Sequence, residues 1–181
     1  HRDLRLNCSS YGFKAPLDVW NNGNAKDIWR ILGPVWRGIN NKKNLIEDTY
    51  ISAIRLQTYV ATQFKPNVAK TIYQMTNAKK VLDTSCGWGD RLAGFFTSDA
   101  EEYIGCDPNP NTYERYMNQI ETYNSFLSKP KKVKIYRCGA EDLPWHEIKD
   151  IDCAFTSPPY FSTEEYNKNG KYQEDQSWFK Y

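Results

Sequence analysis

The chain has 181 residues, a length that suits one globular domain, with 24 Lys and Arg against 22 Asp and Glu for a formal charge of +2. Its mean hydropathy of -0.76 is polar, yet 13 Tyr, 8 Phe and 6 Trp are too many rings for a disordered chain. No apolar run reaches the roughly eighteen residues of a membrane span and no secretion signal opens the sequence, so a soluble cytoplasmic or host-cell intracellular domain without a membrane partner is predicted.

Residues 1–64 carry nine Lys/Arg against five Asp/Glu, and residues 65–181 fifteen against seventeen, so only the front half is mildly basic. Through Asn24 the chain mixes Gly, Asn, Pro and single aromatics without a period and reads as an irregular arm. Ala25–Leu32 is predicted as a short helix stopped by Gly33-Pro34, and Leu45–Val60 as an amphipathic helix on Ile46, Tyr50 and Ile54. Pro66 opens a further helix with Val68, Ala69, Ile72, Tyr73 and Met75 on its apolar face.

After Asn77 strand and helix alternate. Strands are predicted at Lys80–Thr84, Tyr103–Cys106, Val133–Tyr136 and Ile151–Phe155, with helices at Arg91–Phe96 and Asn111–Phe126 between them. Strands separated by helices imply parallel pairing through crossovers, so the fold class is α/β with a doubly wound parallel sheet. The five cysteines, Cys8, Cys86, Cys106, Cys138 and Cys153, form no Cys-x-x-Cys pair, and His1 and His146 lie far apart. They read as small core residues, with neither a metal nor a disulfide predicted.

Three segments carry chemistry. In Val81–Asp90 an apolar strand runs into Ser85-Cys86-Gly87-Trp88-Gly89, where Gly-x-Gly lets a backbone pass close to a ligand. Position 92 is Leu, so the third glycine of the dinucleotide fingerprint is absent, and a tight turn without a ligand is the alternative. Asp107, at the end of the next strand and 24 residues beyond Asp83, stands where a carboxylate can accept both ribose hydroxyls, or can simply cap the next helix. In Thr156-Ser157-Pro158-Pro159-Tyr160 two prolines stiffen the chain after a buried strand. A Ser hydroxyl and a proline carbonyl can accept the two hydrogens of an amino group on a planar base, on which Tyr160 can stack.

Together these segments resemble the S-adenosylmethionine-dependent amino-methyltransferases that act on exocyclic nitrogens of nucleic-acid bases, including predicted methylases of phages and large DNA viruses. The resemblance covers roughly 64–181. It implies a class I, Rossmann-like methyltransferase fold with S-adenosylmethionine as cofactor and nucleic acid, DNA ahead of RNA, as partner. It assigns Phe64, Asp83, Ser85, Gly87, Gly89, Asp107, Ala140 and Glu141 to the cofactor and Ser157, Pro158, Pro159 and Tyr160 to catalysis. Ser before the proline pair is commoner in the cytosine-N4 branch than in the adenine-N6 branch. Many relatives carry an acid at the position of Gly139, a role that passes here to Glu141 or to the backbone.

The organisation expected is an N-terminal arm and helical segment over 1–63 and a catalytic core over 64–181. Only 21 residues follow Tyr160, which leaves no room for the family's last edge strands or a target-recognition domain, so a C-terminally incomplete core or a missing partner subunit is expected. The readings carried forward are methyl transfer to a DNA base, a catalytically idle methyltransferase-fold scaffold, and an RNA or protein-amide methyltransferase. A nicotinamide dehydrogenase is disfavoured by the absent third glycine and by the proline pair.

Overall fold

The computed structural model describes residues 2–32, 60–159 and 164–165. The chain divides into two compact units, one holding 63–159, the other holding the described residues up to Thr62 together with 164–165.

In the second of these, α1 (Arg2–Leu6), β1 (Ser9–Ser10), α2 (Pro16–Asn22) and α3 (Ala25–Leu32) follow one another. The arm predicted as irregular is therefore structured. Helices of five and seven residues are too short for an apolar period to register in sequence. Local chemistry explains them instead. Pro16 sits in the first turn of α2, where its missing N–H is not needed. The Asn24 side chain accepts the Asp27 amide at 2.9 Å and so caps α3 as predicted from Ala25. Among the described residues of this unit Leu6, Cys8, Ala15, Pro16, Val19 and Ala61 are buried, and Arg5 Nε donates to Ala61 O at 3.1 Å. The helix predicted over Leu45–Val60, like the stop at Gly33-Pro34, lies outside the described residues.

The other unit is an α/β arrangement. It runs α4 (Pro66–Met75), β2 (Lys80–Asp83), α5 (Asp90–Phe96), β3 (Glu102–Cys106), α6 (Pro110–Ser125), β4 (Lys132–Tyr136), a 3-10 turn (Ala140–Asp142) and β5 (Cys153–Ala154). The four strands form one all-parallel sheet in the order β4-β3-β2-β5. The chain steps outward from β2 to β3 to β4 and then returns to the far side of β2, so the strand order reverses at β2. Crevices in open α/β sheets form at the carboxyl ends of strands at such a reversal.

The fourth strand is shorter than the predicted Ile151–Phe155. Asp150 adopts a positive φ of 56°, and the Asp152 carboxylate, not a backbone ladder, takes the Lys79 and Lys80 amides at 2.9 and 2.7 Å. Beyond the pair Leu82–Ala154, one further bond from Phe155 N to Leu82 O extends the contact. The strand Glu164–Glu165, numbered β6, comes from the stretch assigned to the core but pairs antiparallel with β1 in the other unit. The rest of the Phe161–Tyr181 tail lies outside the described residues.

Rings fill the core of the sheet unit. Tyr73, Phe95, Tyr103 and Tyr116 are all but fully buried beside Val81 and Leu92. Phe95 meets Tyr103 with ring centroids 5.3 Å apart, and Phe155 meets Phe64 and Tyr73 at 5.6 and 6.0 Å. All five cysteines are free thiols, and four of them are buried. Among the described residues no helix is long and apolar enough to cross a membrane.

Helices α4 and α5 touch through Gly94. A Cβ there would lie 2.5 Å from Pro66 O and 2.7 Å from the Ala69 Cβ. Gly94→Ala should therefore destabilise the protein by about 1–3 kcal/mol, although Ala is intrinsically the better helix former by about 1 kcal/mol. Urea unfolding of the variant measures the difference.

Candidate functional site

Four loops leave the carboxyl ends of the sheet. In the order of the strands they are the 3-10 turn after β4, Asp107 after β3, the glycine turn after β2 and the Ser157 loop after β5. All the predicted site residues within 83–159 thus lie along one edge, while Phe64 precedes α4 and Tyr160 lies outside the described residues.

The glycine turn is built over a buried ion pair. Asp83 is fully buried, and Arg91 Nε and Nη2 reach its two oxygens at 2.8 and 3.3 Å. Tyr103 OH and the Ser85 amide complete the shell at 2.6 and 3.2 Å. Both carboxylate oxygens are thus committed inside the protein, so Asp83 shapes the turn from beneath. Arg91 Nη2 also donates to Ser85 O, which fixes the path of the chain into Gly87. Burial opposes the charge on Arg91, but the Asp83 carboxylate outweighs it and raises the guanidinium above its ordinary range, and burial with Asp83 beside it pushes the Tyr103 phenol well up.

The two glycines of the turn differ in what surrounds them. Both have positive φ, 57° for Gly87 and 76° for Gly89. A Cβ on Gly89 would fall 2.2 Å from Gln119 Oε1, the movable end of a side chain on α6, so that side of the turn is covered while the left-handed φ is what requires glycine. A Cβ on Gly87 would meet nothing closer than Ser85 O at 3.8 Å, which leaves that side of the turn open to an approaching group.

Asp107 is bound to the turn. Its Oδ2 accepts the Gly87 amide at 3.0 Å and Tyr116 OH at 2.9 Å, and its Oδ1 accepts the Asn109 amide at 2.9 Å and Thr112 Oγ1 at 3.0 Å. The cap of α6 is Asn109, whose side chain accepts from the Asn111 amide. Asp107 therefore organises both the entry to α6 and the glycine turn. Burial pushes its carboxyl above the ordinary range, and the bonds from Asn109, Tyr116, Thr112 and Gly87 oppose that shift.

At the β4 end, Ala140 O accepts Trp145 Nε1 at 3.1 Å, and the exposed Glu141 folds back over Gly139. A Cβ on Gly139 would lie 2.5–2.7 Å from the Glu141 carboxyl atoms, so this carboxylate fills the space a side chain at 139 would use. At the β5 end, Thr156 Oγ1 accepts Thr84 Oγ1 at 3.3 Å, which joins the Ser157 loop to the end of β2. Ser157 is half-buried, and Pro158 and Pro159 are exposed. Phe64 stacks edge-on against Phe155 and lies under the Arg91 guanidinium at 5.6 Å, which links the stretch before α4 to this edge.

Sequence reasoning missed Arg91, Tyr103, Thr112, Tyr116 and Gln119. Arg91 carried a signal: it is the one cation in the otherwise apolar Arg91-Leu92-Ala93-Gly94-Phe95-Phe96, and a cation drawn into a core needs an internal counter-charge. Tyr116 had none, because a hydroxyl on an apolar helix face looks the same in sequence whether or not it has a partner.

Asp83→Asn should cost about 3–5 kcal/mol in unfolding free energy, because it leaves the Arg91 charge buried without its counter-ion. The double variant Asp83→Asn, Arg91→Met should lose less than the sum of the two single losses, a coupling that denaturant titration of all four proteins measures.

No protein-family model matches the chain, and no curated protein matches it.

Proposed function

We propose that the sheet unit is a class I methyltransferase core that binds S-adenosylmethionine along the carboxyl edge of its sheet and methylates an exocyclic amino group of a DNA base, cytosine N4 ahead of adenine N6. The observation that carries this reading is the contact between the Gly87 amide and Asp107 across the ends of neighbouring parallel strands, with the Ser157-Pro158-Pro159 loop on the next strand. The edge suits a nucleoside with an amino-acid tail. The open face of Gly87 can take a backbone approach, Asp107 offers a carboxylate to ribose hydroxyls, and the Glu141 carboxylate over Gly139 offers an acceptor for a purine amino group.

When bound, the cofactor supplies an electrophilic methyl on a sulfonium. Ser157 Oγ and the Pro158 carbonyl accept the two hydrogens of the target amino group. That pairing turns the nitrogen lone pair out of ring conjugation, and holding it in line supplies much of the rate. No strong base is needed, because the extra proton can leave after transfer. Asp83 and Arg91 hold the turn and touch neither partner. The target base must be unpaired or flipped, since its amino group otherwise lies within the stack. The basic balance of residues 1–64 favours a nucleic-acid partner over a protein amide.

A second reading, a catalytically idle scaffold of the same fold, is favoured by one observation: both oxygens of Asp83 and of Asp107 are already engaged by neighbours. Calorimetric titration with S-adenosylmethionine separates the two. Binding that Asp107→Ala weakens about tenfold or more supports the cofactor site, since a charged hydrogen bond contributes about 1.5–3 kcal/mol. Ser157→Ala should leave that affinity within about twofold and lower labelled methyl transfer to single-stranded DNA about tenfold or more. No binding by the unaltered chain favours the scaffold.

A further inference from the structure

Asp107 offers about four lone-pair positions, and all four are taken. Two donors are backbone amides, Gly87 on Oδ2 and Asn109 on Oδ1. The other two are hydroxyls, Tyr116 on Oδ2 at 2.9 Å and Thr112 on Oδ1 at 3.0 Å. The amides are set by the chain path, but the hydroxyls can rotate. Each already has a second acceptor within reach: Gly87 O for Tyr116 OH, and Asn109 O, at 3.0 Å, for Thr112 Oγ1. One hydroxyl proton thus faces two acceptors at each position. Both hydroxyls sit on α6 one turn apart, and Tyr116 and Thr112 are 0 % and 2 % exposed against 8 % for Asp107.

We propose that Tyr116 and Thr112 are specificity-determining residues that stand in for a vicinal diol on Asp107 and yield one position on each carboxylate oxygen when a ribose arrives. The proposal rests on the nucleoside reading of this edge given above. A diol brings two donors about as far apart as the two carboxylate oxygens. As it binds, Tyr116 turns to Gly87 O and Thr112 turns to Asn109 O, so no buried hydroxyl is left without a partner. A ligand with no diol cannot replace the two hydroxyl bonds, and the acid then keeps its internal partners. The exchange selects ribonucleosides over their deoxy counterparts and holds the carboxylate in place before binding.

The test compares S-adenosylhomocysteine with its 2′,3′-dideoxy analogue, titrated calorimetrically into the full chain and into Tyr116→Phe and Thr112→Val. Each substitution removes one competitor for Asp107. Each variant should bind S-adenosylhomocysteine about three- to tenfold more tightly, the span of one net hydrogen bond, while affinity for the dideoxy analogue stays within about twofold. An equal change for both compounds, or weaker binding of the diol compound alone, overturns the proposal, because a purely structural role for the hydroxyls predicts no dependence on the diol. Should Tyr116→Phe fail to fold, Thr112→Val carries the same expectation on the other oxygen. If neither compound binds the unaltered chain, the nucleoside reading itself falls, and the proposal falls with it.

Discussion

A carboxylate and a guanidinium buried together beneath the glycine turn set the shape of the sheet's carboxyl edge. Asp83 is fully buried and the Arg91 side chain is only 5 % exposed, so neither charge can turn to water. A pair in that position is tolerable only when its remaining donors and acceptors are also met. Tyr103 and the Ser85 amide meet those of Asp83, and Ser85 O takes the second Arg91 nitrogen. Satisfying the charges therefore dictates the backbone from Ser85 to Gly87. Once that path is set, the Gly87 amide points at Asp107, and the ends of β2 and β3 become one cradle.

The sheet was legible because β2 and β3 centre on short apolar runs closed by polar residues, β4 alternates lysine with Val133 and Ile135, and α6 carries enough turns for its face to repeat. Its predicted bounds differ from the observed ones by a residue at each end. Of the N-terminal helices, α3 was predicted with its observed bounds, whereas α1 and α2 were not legible. α1 has five residues and α2 rests on a proline in its first turn, features that carry no period. The shortened β5 has a local cause too: the Asp152 carboxylate takes the Lys79 and Lys80 amides, while Asp152 N still donates to Lys80 O.

Within the site, residue type and position were legible but partners were not. Gly87 and Gly89 look equivalent in sequence, yet one is open and the other is packed against Gln119. Asp83 and Asp107 look like two ligand-facing acids at matched strand ends. The first is the counter-ion of a residue eight positions on, and the second has two hydroxyl partners that have alternatives. Such differences depend on which side chains α5 and α6 bring back over the strands. Gly139 shows the converse: the absence of a side chain there makes room for Glu141 to lay its carboxylate over that spot.

The most direct measurement is a nitrogen-15 amide spectrum of the full chain during titration with S-adenosylmethionine. Binding along the carboxyl edge predicts the largest shifts at the Gly87 and Asn109 amides, which donate to Asp107, with further shifts at Glu141 and Ser157. Amides at the opposite ends of the strands, such as Lys80 and Lys132, should hold still. A spectrum that does not move at saturating cofactor, or that moves at the amino ends of the strands and not at Gly87, would contradict a cofactor site on this edge.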